Sequence, residues 1–172
     1  TLLYGIRLDF TTTAYISSLS VILMLIQVIT GYTLFKKIFF AYNGIILFVL
    51  ILLHVSNLFL YRSWGVLINY RALTFLADWR QMFLSVNNFE LVGGIIFIIL
   101  LFLLAWFVFR KTTKHFFDNK LSIIQALLPF IVTAIMIVIM FRGGVQMLPV
   151  NESAAAFSEN VTLIHIATNP AW

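Results

Sequence analysis

Apolar residues run along this chain in long stretches separated by polar joints: Thr11–Phe35, Ile38–Leu60, Leu91–Phe109 and Leu121–Phe141. Each stretch holds about the 20 residues that a helix needs to cross a ~30 Å hydrocarbon core. The stretches are continuous rather than alternating, which predicts helix and not strand. A backbone in lipid can be satisfied only as helix or closed barrel. The pattern therefore predicts an all-α, polytopic membrane helix bundle with four transmembrane helices.

The longest joint, Tyr61–Glu90, carries structure of its own. Asn69 is placed to cap a short helix over Tyr70–Ala77, and Asp78 a second over Trp79–Val86. Leu73, Phe75, Trp79 and Met82 alternate there with Arg71 and Arg80. Such a mixture predicts short interfacial helices, at about 70–86, on the outer leaflet. They either seal the top of the bundle or form a floor for an anionic lipid headgroup, because the planar fork of Arg suits phosphate. After Arg142-Gly143-Gly144 the chain becomes more polar. Pro149, a possible brief helix Glu152–Glu159 and the turn Asn169-Pro170 make 143–172 a structured extracytoplasmic linker. Asn160-Val161-Thr162 matches a glycosylation sequon, which counts only in a eukaryotic secretory protein. With Thr at position 1 and no signal-peptide pattern, 1–142 reads as the membrane domain of a longer protein.

Composition supports the membrane reading. Apolar residues make up 62% and charged residues 10%, against the ~25% charge of a soluble domain. The net charge of +5 does not point to nucleic acid, because the basic residues sit beside the spans. Lys36, Lys37, Arg110, Lys111, Lys114 and Lys120 fall on one side, with Asp118 the one acid among them. Arg7, Arg62, Arg71, Arg80 and Arg142 fall on the other, among Asp9, Asp78, Glu90, Glu152 and Glu159. The dense lysine joints predict the cytoplasmic side, and both ends of the chain then lie outside. Cysteine is absent, so neither disulfides nor thiolate chemistry enter.

Polar residues inside the spans are the candidate sites. Asn43, His54, Asn57 and Tyr61 share about 80° of arc on the second span. Ser17, Ser20, Gln27 and Gly31 share a side of the first, and Ser122, Gln125, Pro129 and Thr133 a side of the fourth. Residues of this kind usually join helices. His54 is the one ionisable residue deep in a span, which makes it a candidate for function. A neutral ring bonded to a neighbouring helix is the alternative, and no acid at similar depth supports a proton relay. Paired intramembrane carboxylates, HExxH, GxSxG and a P-loop are all missing from the sequence. These residues alone are expected to have no transferase or esterase activity and to hold no cofactor.

Gly5-Ile6-Arg7-Leu8-Asp9-Phe10 with Ala14-Tyr15 resembles the segment after the first membrane helix of lipoteichoic-acid-synthase-like proteins. These are membrane-anchored members of the alkaline phosphatase/sulfatase superfamily. Tyr61-Arg62-Ser63-Trp64-Gly65, followed by Asn69 and Ala72-Leu73, is similar to their outer joint, although Ser63 and Leu67 stand where acidic and basic residues are often found. Arg142-Gly143-Gly144 and Ala167-Thr168-Asn169-Pro170 resemble the exit toward their extracellular catalytic domain. The resemblance implies a bacterial cell membrane and a missing first helix. It also implies a catalytic domain beyond position 172 with a Thr nucleophile and a divalent, manganese-like metal. That domain would transfer phosphoglycerol or phosphoethanolamine, or hydrolyse sulfate or phosphate esters. The expected partners are membrane lipids, including anionic phospholipids, and that domain itself. The residues expected to meet a lipid headgroup are Arg7, Tyr61, Arg62, Trp64, Asn69, Arg71 and Arg142. The rival reading is a non-catalytic membrane module, such as a small transporter or an assembly scaffold.

Overall fold

The computed structural model describes residues 2–65, 67–68, 88–118 and 123–142. Within them the fold is all-α, with helices α1 (Leu2–Thr30), α2 (Thr33–Trp64), α3 (Asn88–Asp118) and α4 (Ile123–Phe141). Three segments, Gly5–Thr30, Thr33–Arg62 and Leu91–Lys114, are long and apolar enough to cross a membrane, the property of a multi-pass membrane protein. Leu127–Phe141 of α4 is a shorter apolar stretch. The interfacial helices expected at 70–86 and the linker at 143–172 lie outside the described residues.

α1, α2 and α3 are longer than the apolar stretches, and their ends differ from the expected joints. The first joint is not at Lys36-Lys37 but at Gly31-Tyr32, which places both lysines in the first turns of α2. Gly31 ends α1 because it takes a left-handed conformation (φ 69°) that L side chains rarely adopt. Its N–H donates to the Gln27 carbonyl at 2.8 Å. Gly65 ends α2 in the same way, with φ 68° and a 2.9 Å bond from its N–H to the Tyr61 carbonyl. At the far end of α3, Arg110, Lys111 and Lys114 continue the helix instead of forming a loop. Long basic stems let a helix run on into the headgroup layer without burying charge.

The chain divides into two compact units, 1–46 with 115–172, and 47–114. In the first unit α4 packs along α1, and the rings of Tyr15 and Phe141 lie 4.7 Å apart. The start of α2 runs antiparallel to α1. Tyr42 donates its hydroxyl to the Ile16 carbonyl at 3.0 Å, and Ser20 donates to Asn43 Oδ1 at 2.9 Å. The buried centre is small: Leu8, Thr11, Thr12, Ala14, Ser20, Phe39 and Ile137. Thr11 and Thr12 are buried at no polar cost, since each hydroxyl donates to a carbonyl one turn back (Arg7 and Leu8, both 2.9 Å). Phe39, Phe40 and Phe117 form a ring cluster, with Lys36 Nζ 5.2 Å from the Phe117 centroid.

In the second unit α2 and α3 run antiparallel. Phe48 meets Phe102 edge-on at 5.7 Å, and the Phe59 ring lies over Gly94. A Cβ at Gly94 would meet that ring at 3.4 Å, an ordinary van der Waals contact. The outer faces are apolar and open: Ile45 is 65% exposed, Leu104 63%, Phe107 64% and, on α4, Leu128 70%. Side chains this large and this exposed suit hydrocarbon rather than water.

Candidate functional site

The polar stripe of α2 does not act as one unit. Asn43 joins two helices: its Oδ1 accepts from Ser20 on α1 and its Nδ2 donates to the Phe39 carbonyl at 2.8 Å. His54 is exposed, and its Nδ1 lies 2.7 Å from the Leu50 carbonyl, one turn back on the same helix. That contact corrects the expectation of a bond to a neighbouring helix. The ring folds down onto its own backbone, since a carbonyl four residues back is always within reach. With the carbonyl as acceptor, Nδ1 carries the proton.

Asn57 is 9% exposed and has a third role. Its Oδ1 accepts the Ile68 N–H at 2.8 Å. Gly65 turns the chain out of α2, and Asn57 catches it three residues later. The joint after α2 therefore begins folded against that helix rather than projecting from it. The sequence placed Asn57 on the stripe but gave no sign that its partner was a backbone group in the joint.

The residues expected to meet a headgroup are distributed as follows. Arg7 is exposed on α1, and Arg142 is exposed directly after Phe141 on α4. The Tyr15–Phe141 contact places both toward the same end of the first unit, with Arg7 about two turns beyond Tyr15. In the second unit Tyr61, Arg62 and Trp64 share the last turns of α2. Tyr61 is half-buried and Arg62 is exposed. A cation in that position is favoured by the unpaired carbonyls of the helix end. Asn69 and Arg71 lie outside the described residues.

On α4, Thr133 donates to the Pro129 carbonyl at 2.7 Å, a bond within the helix rather than between helices. Gln27 Oε1 is buried and has no hydrogen-bond partner among the described residues. Those residues contain no group of three His, Cys, Asp or Glu side chains that could hold a metal ion. The chain matches no family model, no curated protein and no solved structure.

Proposed function

We infer that this chain is the membrane anchor of an outward-facing, sulfatase-like phosphoglycerol transferase, or of a transferase of a related phospho-group, in a bacterial cell membrane. Both of its ends face outside. The argument is geometric. A donor phospholipid keeps its tails in the bilayer, so an enzyme held at the surface meets it at high effective concentration. A second task follows from the same position, which is to seat the lipid headgroup beneath the catalytic domain.

The observation that carries this reading is the outer end of α2. Arg62 is exposed on its last turn, and Asn57 holds the following chain down at Ile68. A guanidinium on a membrane-length helix, beside a joint that starts folded against that helix, suits a phosphate at the bilayer surface. Arg62→Lys keeps the charge and loses the fork, so it separates bidentate recognition from simple attraction. The test is binding of phosphatidylglycerol by the purified chain in nanodiscs, comparing wild type with Arg62→Lys and Arg62→Ala. Graded loss, with Ala weaker than Lys and Lys weaker than wild type, is the expected result. Equal binding by all three would remove the support for headgroup seating and leave the non-catalytic module as the better reading.

A further inference from the structure

The inner end of the α2–α3 pair carries a second lipid-facing feature. α3 spans 31 residues, about 46 Å at 1.5 Å per residue. That exceeds a ~30 Å hydrocarbon core, so the helix must enter a headgroup layer. Its apolar part ends at Phe109, and Arg110, Lys111 and Lys114 follow. At ~100° per residue, Leu100, Leu103, Phe107, Arg110, Lys111 and Lys114 fall within about 100° of one another. Leu100 is 59% exposed, Leu103 55% and Phe107 64%, and the three cations are exposed as well. One face of α3 therefore runs from an open hydrocarbon strip directly into positive charge. The Arg110 guanidinium lies 5.4 Å from the Trp106 ring centroid, which holds it at the boundary between the two. Lys111 and Lys114 are exposed, and Asp118, one turn beyond Lys114, is the one acid at this end of the helix.

We propose that this face binds an anionic phospholipid of the adjacent leaflet. One acyl chain lies along Leu100, Leu103 and Phe107, and the headgroup sits between Lys111 and Lys114 beside Arg110. Charge complementarity selects the occupant: a zwitterionic headgroup adds its own cation to a site that already has three. The site is separate from the seat inferred at Arg62. Within the α2–α3 pair, Phe59 meets Gly94 at one end and Phe48 meets Phe102 toward the other, so Arg62 and Arg110 lie at opposite ends.

Trp106 provides a local probe. The other tryptophans, Trp64, Trp79 and Trp172, are replaced by Phe. The chain is placed in nanodiscs with phosphatidylglycerol or phosphatidylcholine brominated on the acyl chain near the headgroup, and Trp106 quenching is followed against mole fraction. Phosphatidylglycerol is expected to quench at a lower mole fraction than phosphatidylcholine. A lysine near an anionic surface contributes ~1 kcal/mol, so this preference should fall about 5-fold for each of Lys111→Ala and Lys114→Ala. The double Arg variant, Lys111→Arg with Lys114→Arg, should keep it. Equal quenching by the two lipids in the chain with both lysines, or an undiminished preference in the double Ala variant, would overturn the proposal. Because Trp106 reports only this end of the pair, the result is independent of binding at Arg62.

Discussion

Asn43 should be the polar side chain whose removal loosens α1 most. Apolar helices gain little from packing against each other in lipid, because the tails are as apolar as the helices. Directional contacts then carry a larger share of the association. Between α1 and the start of α2 two such contacts are described, Ser20 to Asn43 at 2.9 Å and Tyr42 to the Ile16 carbonyl at 3.0 Å. Ser20 is 9% exposed, so its hydroxyl is poorly placed to find water once Asn43 is gone. The Ile16 carbonyl, four residues back, already accepts from Tyr42 at 3.0 Å, so it offers Ser20 no free acceptor. The coupling is expected in the ~0.6–1.7 kcal/mol range measured for hydrogen bonds between membrane helices. The perturbation is a double-mutant cycle of Ser20→Ala, Asn43→Ala and both together. Reversible unfolding in mixed micelles, followed by circular dichroism against denaturing detergent, gives the stabilities. A coupling energy of about 1 kcal/mol is expected, and Tyr42→Phe should cost roughly 0.5–1.5 kcal/mol on its own. A coupling within about 0.3 kcal/mol of zero would mean that Ser20 and Asn43 do not bond, and that apolar packing alone sets this contact.

Three further outcomes are expected. Gly93→Ala, where an added Cβ meets nothing within 4 Å, should be neutral or stabilising by up to about 1 kcal/mol in the same unfolding assay, whereas Gly94→Leu should destabilise, because a Cβ there would already touch the Phe59 ring at 3.4 Å and the rest of the leucine must displace it. His54→Leu should change stability by less than about 0.5 kcal/mol, because the exposed ring bonds only its own helix at Leu50; a loss above 1 kcal/mol would reveal a partner on another helix. Single cysteines at positions 87 and 114 should differ in intact cells, with an impermeant thiol reagent labelling 87 and not 114; the reverse would invert the topology drawn from the lysine-rich joints.

The helices themselves were legible in the sequence because a membrane span is written in length and continuity, and both survive any detail of packing. Their ends were less so. The charge at Lys36-Lys37 and Arg110–Lys114 points to joints, because charge usually marks the water side. Yet a charged side chain need not end a helix, and the lysine stem reaches the headgroups while its backbone stays helical. What ends α1 and α2 is the left-handed backbone of Gly31 and Gly65, at φ 69° and 68°. In the sequence Gly31 stands out only for sharing a side with Ser20, and Gly65 only as part of the joint after the second span. The candidate site was legible in part. Arg62 and Tyr61 fall at the end of α2 as a hydropathy boundary requires, while Asn69 and Arg71 lie outside the described residues. The clamp from Asn57 to Ile68 was not legible, because a sequence records which side chains share a face and not which backbone group returns to meet them.

Three residues of the α2 stripe, Asn43, His54 and Asn57, bear on polar groups inside a span more generally. Such a group can bond its own helix, another helix, or a chain reversal, and helical arc does not distinguish these. His54 takes the first course, Asn43 chiefly the second and Asn57 the third, although all lie within about 80° of one another. Only the second and third fix anything beyond the helix. The own-helix bonds of Thr11, Thr12, Thr30, Thr112, Thr133 and His54 remove the cost of a polar group without specifying a neighbour. Among the described residues, three bonds reach beyond one helix in this way: Ser20 to Asn43, Tyr42 to Ile16 and Asn57 to Ile68. The first two hold α1 against α2. The third holds the outer joint against the end of α2, beside Arg62. If the joint presents a lipid headgroup, Asn57 helps to set where it starts, through its bond to Ile68. Its loss should weaken headgroup binding while Arg62 remains intact.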